Sequence, residues 1–469
     1  MISFFKYQDP LRFILIFLLL LLIRLPAFLF EYPVIIPELI WDLTGQKLAE
    51  GGVMYRDVRE SLGPLAAGTY YLINLIFNNT HIAYQVLSLL LVFIQAFLFN
   101  FILNVNNLFS ERSFVPGLLY VVFSTLFFDF FTLSPVMLGI TFIILAFHFV
   151  FLLIRIGDRD EEIFYTGALT GIAALFHFPF FIFLLLIIFV FLLFTPGNLR
   201  KYFVLLTAFA FPLLLAGTYY FLRNGFEEFL TDYFYPIYAD MELFLSLKVF
   251  IVVLLVPALI LFMSFIFILT SSRYINYQYI TIRIFGLWIL FAAFTLYLSS
   301  RLSVYHFYVF VPALTFFGTH FFLLIKHKIT RESSFGLFLI LTLIINYGIL
   351  YQFVFKKNPI SIDGLIAERP AGFDVKNSRI LVLGTDKTFY KDNMLATPYL
   401  NWELSSKELS EMDNYAAISS VYAKFRKDMP GVLIDSKKII PRLFIRIPEF
   451  ATLYEKKQQV GEYEIYFLK

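Results

Sequence analysis

Two carboxylates in the first polar stretch of the chain have a type and spacing that can do chemistry. Glu38 and Asp42 are four residues apart in a segment that Pro37 begins as a helix and Gly51-Gly52 ends. Both side chains therefore fall on one helical face. Such a pair can take a proton from a hydroxyl as a general base, or hold a divalent cation through oxygen ligands. It can also be an ordinary charged face of an interfacial helix.

A second group of polar residues has the chemistry to bind a phosphate. Arg301 lies in the segment SSRLSVYHFYVFVPAL, with Tyr305 and His306 close behind it. A guanidinium grips phosphate oxygens through two parallel hydrogen bonds, and an imidazole can add another donor. The alternative is an arginine that reaches lipid head groups within a belt of aromatic side chains.

Arg24 is a third candidate, because it lies inside a long apolar run. An ionisable group within a membrane is costly and usually faces a partner or a cavity. Its predicted partners are Glu31, Glu38 or a lipid phosphate. The carboxylate of Asp129, which precedes a chain break at Ser134-Pro135, is a secondary candidate.

The elements that carry these residues are predicted to be membrane-spanning helices. Hydrophobic residues make up 60% of the chain, and apolar runs of bilayer length follow one another. A spanning helix needs about 20 apolar residues, and hydrocarbon forces such runs to be helical. We count about eleven spans: Leu11–Phe30, His81–Leu103, Phe114–Phe131, Pro135–Leu153, Ile163–Phe178, Phe180–Thr195, Tyr202–Leu222, Leu247–Thr270, Ile284–Tyr297, Val304–Ile325 and Phe335–Phe355.

The distribution of basic residues predicts the orientation. With a cytoplasmic N-terminus, nearly all Lys and Arg residues of the short loops fall on the cytoplasmic side, and Arg301 is the exception. This asymmetry follows the positive-inside rule. It places the first loop (31–63) and the C-terminal tail outside the cytoplasm, and it predicts a multi-pass protein of the inner or plasma membrane that contacts membrane lipid.

The chain divides into a transmembrane domain over residues 1–355 and a soluble tail over 356–469. The tail has a mixed composition typical of a small α/β domain. SRILVLGTD, VLIDS and YEIYFLK are predicted to be strands. A helix is predicted over Asn414–Asp428, and IIPRLFIRIPEFATLYEK as two short helices. The strand–helix–strand order favours a Rossmann-like sheet, but no Gly-rich phosphate fingerprint follows the first strand.

Composition excludes several classes of function. The chain has no Cys, which excludes disulfides, thiolate metal sites and cysteine nucleophiles. Its net charge is +3, and no dense basic run occurs. We therefore expect no nucleic-acid partner.

The first loop also follows a longer pattern. Glu38 is followed by Gly51-Gly52, then by Tyr55-Arg56-Asp57, and then by Pro64. This order, between a first span and many further spans, resembles membrane glycosyltransferases of the GT-C type, which include protein O-mannosyltransferases and lipid A aminoarabinose transferases. The resemblance in layout covers the whole chain, and the motif covers the loop. The chain departs from the family at Pro37, where the family often has Asp, so Asp42 is the substitute candidate.

The resemblance implies an activity and a set of roles. Family members move a hexose or pentose from a polyprenyl-phosphate-type donor to an acceptor outside the cytoplasm. Glu38 or Asp42 would then be the catalytic base. The lipid phosphate and the substrates would contact the set Arg301, His306, Arg24, Tyr55, Asp57 and Tyr305. The acceptor is not defined, and no cofactor is required, although a divalent cation is compatible with the carboxylate pair.

The rival hypothesis is a non-enzymatic membrane component, either a transporter of lipid-linked glycans or a scaffold for secretion or envelope assembly. A transporter favours broken or charged segments at matched places in two halves, and no internal repeat is present in the sequence. A scaffold would tolerate the loss of every acidic residue in the first loop.

Overall fold

The molecule is predominantly helical and ends in a small β-sheet. A computed structural model describes residues 1–469 except 8, 31, 79, 158, 196, 238, 240, 241, 246, 271–273, 356–361, 363 and 412. The α-helices are, in chain order, α1 (Ile2–Phe5), α2 (Pro10–Leu29), α3 (Ile36–Ala49), α4 (Pro64–Phe77), α5 (His81–Val105), α6 (Val115–Phe123), α7 (Pro135–Ile156), α8 (Asp160–Phe176), α9 (Phe181–Phe194), α10 (Leu199–Leu222), α11 (Phe226–Tyr233), α12 (Leu247–Thr270), α13 (Asn276–Tyr297), α14 (Val311–Leu324), α15 (Lys328–Phe355), α16 (Trp402–Ser410), α17 (Tyr415–Lys427), α18 (Ile439–Arg446) and α19 (Pro448–Leu453).

The remaining regular elements are strands and short 3-10 helices. The strands are β1 (Glu242–Leu243), β2 (Arg301–Leu302), β3 (Arg379–Leu383), β4 (Met394–Leu395), β5 (Val432–Asp435), β6 (Tyr454–Val460) and β7 (Tyr463–Leu468). The 3-10 helices are Phe128–Phe131, Phe178–Phe180, Tyr235–Ile237, Val304–Phe310 and Thr388–Tyr390.

Eight helical segments among the described residues are long and apolar enough to cross a membrane, as expected of an α-helical membrane protein. They are Leu11–Leu29, His81–Val105, Pro135–Ile156, Leu199–Leu222, Leu247–Thr270, Asn276–Tyr297, Val304–Leu324 and Lys328–Gly348. Each overlaps one of the spans predicted from the sequence. The other three predicted spans correspond to the shorter helices α6, α8 and α9.

The prediction of a continuous helix over Phe114–Phe131 is wrong. Helix α6 ends at Phe123, and the chain continues through turns and the 3-10 helix Phe128–Phe131 before α7 begins. Every residue from Tyr120 to Ser134 is buried. Irregular backbone is tolerated at membrane depth only where other protein groups make its hydrogen bonds. The side chains around this break must therefore supply hydrogen-bond partners for its backbone.

The described chain forms two compact units. Unit 1 comprises Met1–Tyr32, His81–Leu215 and Pro236–Gly364, and it contains most of the long apolar helices. Unit 2 comprises Pro33–Thr80, Ala216–Tyr235 and Leu365–Lys469. The tail is therefore one part of a larger unit, which also holds α3, α4 and α11.

Within unit 2, the tail builds a five-stranded mixed sheet in the order β4-β3-β5-β7-β6. Strands β4, β3 and β5 are parallel, and β7 pairs antiparallel with β5 and β6. The predicted strands β3, β5 and β7, the predicted helix α17 and the two short helices α18 and α19 are all present. Strand β6 was not predicted, because its residues YEKKQQV are polar; the first three, YEK, were predicted to end a helix. Its exposed lysines are typical of an edge strand.

The tail has its own hydrophobic core, which holds the sheet against the helices. Leu381 of β3 and Leu433 of β5 are fully buried, and Phe425 of α17 and Phe450 of α19 pack in the same cluster. The side chain of Asn414 caps the start of α17 by accepting a hydrogen bond from the backbone N–H of Ala416 at 2.9 Å. These features fix α17, whose last turn carries polar residues of a candidate site.

Candidate functional sites

Helix α3 carries the two predicted catalytic carboxylates. It begins at Ile36 with Pro37 in its first turn, where a missing backbone N–H has no cost. Glu38 is in the same turn and is only 3% exposed, and the positive end of the helix dipole favours a carboxylate there. Asp42, one turn along, is half-buried and accepts a hydrogen bond from Gln46 Nε2 at 3.0 Å. The spacing of Glu38 and Asp42 did not predict that Glu38 is buried.

The packing of α3 on α4 fixes the helix that carries Glu38. The rings of Trp41 and Tyr70 stack in parallel with their centroids 5.5 Å apart. A Cβ atom added at Gly45 would lie 2.6 Å from the backbone oxygen of Tyr70. The two helices therefore approach too closely there for any side chain larger than hydrogen.

The loop after α3 holds the Gly and Tyr-x-Asp positions of the first-loop pattern. Gly51 ends the helix with a φ of +92°, as predicted, in the left-handed region that glycine favours. Tyr55 also has a positive φ, of 71°. It is fully buried, donates its hydroxyl hydrogen to the backbone oxygen of Leu62 at 2.7 Å, and packs edge-on against Tyr220. These contacts fix the loop, and a role for Tyr55 in substrate binding stays a prediction.

Asp57 is the centre of an ion-pair network in unit 2. Its Oδ2 accepts hydrogen bonds from the backbone N–H of Val53 at 2.9 Å and from Arg56 Nη2 at 2.7 Å, and its Oδ1 accepts one from Lys427 Nζ at 2.6 Å. Burial raises the pKa of Asp57, but these three donors together hold its pKa below the usual value. The carboxylate is therefore ionised at neutral pH. Its predicted contact with substrate stays a prediction.

A second ion-pair network lies beside the first. Asp428, which follows α17, accepts hydrogen bonds from Lys47 and Arg379, and from the backbone N–H of Thr397 at 2.8 Å. Burial raises the pKa of Asp428, but the hydrogen bond and the charge of Lys47, with the other donors, hold its pKa below normal. Sequence reasoning missed this network because Lys47 and Asp428 are 381 residues apart in the chain.

In unit 1, Arg24 is buried and holds the chain break that follows α6. Its Nη1 donates to Ser88 Oγ at 2.7 Å and its Nη2 donates to the backbone oxygen of Phe130 at 3.2 Å. Its guanidinium also lies over the ring of Phe131 at 4.6 Å. Ser88 in turn donates to the backbone oxygen of Phe131. Arg24 therefore satisfies irregular backbone within the helical bundle, which is a positioning role.

The same break carries Asp129, which is 1% exposed. Its Oδ2 accepts a hydrogen bond from Ser303 Oγ at 3.3 Å, and its Oδ1 has no hydrogen-bond partner among the described residues. A buried carboxylate oxygen without a hydrogen-bond partner is rare. Asp129 thus connects the break with the segment that follows Arg301.

His306 lies beside Ser303 in the 3-10 helix Val304–Phe310. His306 Nδ1 lies 3.1 Å from the backbone nitrogen of Ser303 and 3.2 Å from the backbone oxygen of the same residue, so either tautomer of the ring has a partner there. The ring of Tyr305 stacks on it at 4.0 Å, and the ring of His177 lies 5.5 Å away. A hydrogen bond from His306 to a phosphate stays a prediction.

Arg301 lies at the start of β2, where it is half-buried. The two-residue strand pairs in parallel with β1, with Glu242 and Arg301 in register. This pairing holds the backbone that precedes His306. A contact of Arg301 with a lipid phosphate stays a prediction.

The predicted site residues fall in two sets. Unit 1 holds Arg24, Arg301, Tyr305 and His306, and unit 2 holds Glu38, Asp42, Tyr55 and Asp57. Glu31, a predicted partner of Arg24, lies outside the described residues. In the part of the chain that the structure describes, no cluster of three His, Asp or Glu side chains is arranged to hold a metal ion.

Comparison of the chain with models of protein families finds no matching family, and comparison with curated proteins finds no match.

Proposed function

We propose that this protein is a polytopic membrane glycosyltransferase that moves a sugar from a polyprenyl-phosphate-type lipid donor to an acceptor outside the cytoplasm. Glu38, or Asp42 one turn along, takes the proton of the acceptor hydroxyl. The hydroxyl oxygen attacks the anomeric carbon as the bond to the lipid phosphate breaks, which inverts the configuration. Arg301, with His306, neutralises the phosphate as it leaves.

The observation that carries the proposal is the burial of Glu38. A charged residue on an ordinary interfacial helix faces water, and glutamate side chains in proteins are mostly exposed. Glu38 is 3% exposed in a helix fixed by α4. Groups that act on a substrate need such fixed supports, so its burial favours the catalytic interpretation over the solvated one.

The contacts within unit 2 support the proposed orientation. The first loop and the tail were each predicted to lie outside the cytoplasm. In unit 2 they contact one another: the backbone N–H of Ile36 donates to the backbone oxygen of Leu365 at 2.8 Å, and the backbone N–H of Arg59 donates to that of Pro398 at 2.8 Å. Segments in contact lie on the same side of a membrane. The predicted orientation, with the N-terminus in the cytoplasm, places both of these segments outside the cytoplasm.

Arg24 takes a different role in this proposal from the one that the resemblance implies. Its two Nη atoms donate to Ser88 and to the backbone of Phe130. We therefore assign it to the support of the chain break near Asp129. Arg301 and His306 remain the groups that bind phosphate.

A kinetic comparison of variants tests these roles. The variant that lacks the catalytic base, E38Q or D42N, should have a kcat lower by about 10²–10⁴-fold. Its KM for the donor should change little. R301Q should raise the KM for the donor. The matched control is E227Q, which removes an exposed carboxylate of α11 and should leave turnover unchanged. Full turnover by the E38Q/D42N double variant would contradict the proposal and favour a transporter or scaffold.

A further inference from the structure

A charged cavity in unit 2 is lined by Asp57, a predicted substrate contact, and by other residues to which the proposed transfer reaction gives no role. Its volume is about 400 Å³, and it lies between the end of α3, the loop that follows and the tail. Five cationic side chains line it: Lys47, Arg56, Arg379, Lys424 and Lys427. Cavities of this size accommodate small-molecule ligands.

Three carboxylates also line the cavity, and a fourth, Glu408, pairs with Lys424 at 2.7 Å from outside the lining, so an excess of one positive charge remains. Asp57 bridges Arg56 and Lys427, and Asp428 bridges Lys47 and Arg379. Glu50 is the third, and its Oε2 lies 2.6 Å from Arg379 Nη2. The acids therefore hold the cations around the cavity without neutralising all of them.

The cations at the cavity retain donors for a further acceptor. An arginine has five N–H donors and a lysine has three. Arg379 donates through Nη1 and Nη2 to Asp428 and Glu50, and Lys427 makes one such bond, to Asp57, among the described residues. The Lys427 side chain is 65% exposed. A ligand rich in acceptor oxygens would use the donors that are left.

Thr397 gives an independent indication of a ligand at this cavity. It lines the cavity with a φ of 64°, which is a genuine outlier for a β-branched residue. Its backbone N–H donates to Asp428, and its buried hydroxyl has no hydrogen-bond partner among the described residues. Strained residues persist where surrounding contacts enforce them, and they cluster at ligand sites.

We propose that this cavity binds a phosphate group, either of a soluble phosphomonoester or of a lipid head group. A phosphomonoester carries a charge of about −1.5 to −2 at neutral pH and has three strong acceptor oxygens. Its three acceptor oxygens match the donors that remain on the cations of the cavity, and its negative charge is opposite to their excess, whereas a divalent cation would be repelled. The site goes beyond the proposed transferase function and can be tested without an assay of sugar transfer.

Calorimetric titration of the full chain in zwitterionic nanodiscs tests the proposal, with inorganic phosphate and glycerol 3-phosphate as probes. A second arm measures binding to vesicles that contain phosphatidic acid. We expect at least one arm to show binding that weakens tenfold or more in K427Q and R379Q. Binding of the soluble probes identifies a soluble phosphomonoester, and binding to phosphatidic acid alone identifies a head group.

Two controls separate recognition from folding. K376Q removes an exposed lysine of the tail that does not line the cavity, and it should bind like the wild type. T397G removes the hydroxyl and relieves the backbone strain, so it should keep its thermal stability but bind phosphate more weakly. Absence of binding in both arms, or equal binding by all variants, would overturn the proposal.

Discussion

Arg59 and Asp232 form a two-point ion pair that joins the first loop to α11. Arg59 Nε lies 3.0 Å from Asp232 Oδ2, and Arg59 Nη2 lies 2.6 Å from Oδ1. The Asp232 side chain is completely buried, and that of Arg59 is 16% exposed. Two parallel N–H···O bonds of this kind fix direction as well as distance. The pair therefore sets how the loop after α3 packs within unit 2.

We expect removal of one partner of this pair to be strongly destabilising. R59M leaves the buried carboxylate of Asp232 without its counter-charge, which should cost about 3–5 kcal/mol. The double variant R59M/D232L leaves no uncompensated charge and should recover much of the loss. Chemical denaturation of the purified chain measures both, and equal stability of R59M and the wild type would contradict the prediction.

Gly45 is expected to be intolerant of even a methyl group. In G45A the new Cβ would lie 2.6 Å from the backbone oxygen of Tyr70, so α3 and α4 must move apart at a cost of about 1–3 kcal/mol. The matched control is G68A in α4, where a Cβ meets nothing within 4 Å. That change should be neutral or stabilising by up to about 1 kcal/mol, because alanine favours helix. A thermal melt that ranks G45A at or above G68A would refute this.

The Arg24 interpretation predicts coupling with Ser88. Both side chains hold the backbone around Phe130 and Phe131, so R24M and S88A should each destabilise the chain by about 1–3 kcal/mol. Their effects should be less than additive in a double-mutant cycle, by about 0.5 kcal/mol or more. Strict additivity would indicate that Arg24 and Ser88 act independently.

The ion pairs of Asp57 and Asp428 in unit 2 should contribute less stability in acid. Asp57 and Asp428 both have folded-state pKa values below the usual 3.8, so the unfolded chain binds more protons near that pH. Their contribution is fully present well above pH 3.8 and is lost as the pH falls through it towards the lower folded-state values. Melting temperatures between pH 7 and pH 3 measure this loss. D428N should flatten the profile, whereas D374N, at an exposed position, should not.

The parts of the fold that the sequence predicted are those with a strong local signal. Strands β3 and β5 are short apolar runs bounded by turn residues, and α17 has an amphipathic repeat, so each could be recognised from its own residues. The break after Phe123 has no such signal, since the apolar composition is the same on both sides of it. Polar side chains from distant helices explain how the break is satisfied: Arg24 and Ser88 donate to the backbone of Phe130 and Phe131, and Asn346 donates to the backbone oxygen of Thr125 at 2.9 Å.

The candidate sites could be predicted less fully, because they depend on contacts between residues that are far apart in the chain. The spacing of Glu38 and Asp42 identified a helical face, but burial of Glu38 depends on packing that the spacing does not encode. The cation cluster at the cavity was not predicted at all, because Asp57 and Lys427 are 370 residues apart. Long-range ion pairs leave no periodic signature in one sequence.

The most direct test of the central claim is transfer of a radiolabelled sugar. The purified chain in liposomes is supplied with a panel of polyprenyl-phosphate sugars and an extract of cell-envelope acceptors, and label is counted in acceptor and lipid fractions. The proposal predicts that the wild type transfers label from one of the donors to an acceptor. The E38Q/D42N double variant should transfer at least about 100-fold less label. Label that stays in every donor with the wild type, or that moves equally with the double variant, would contradict the account.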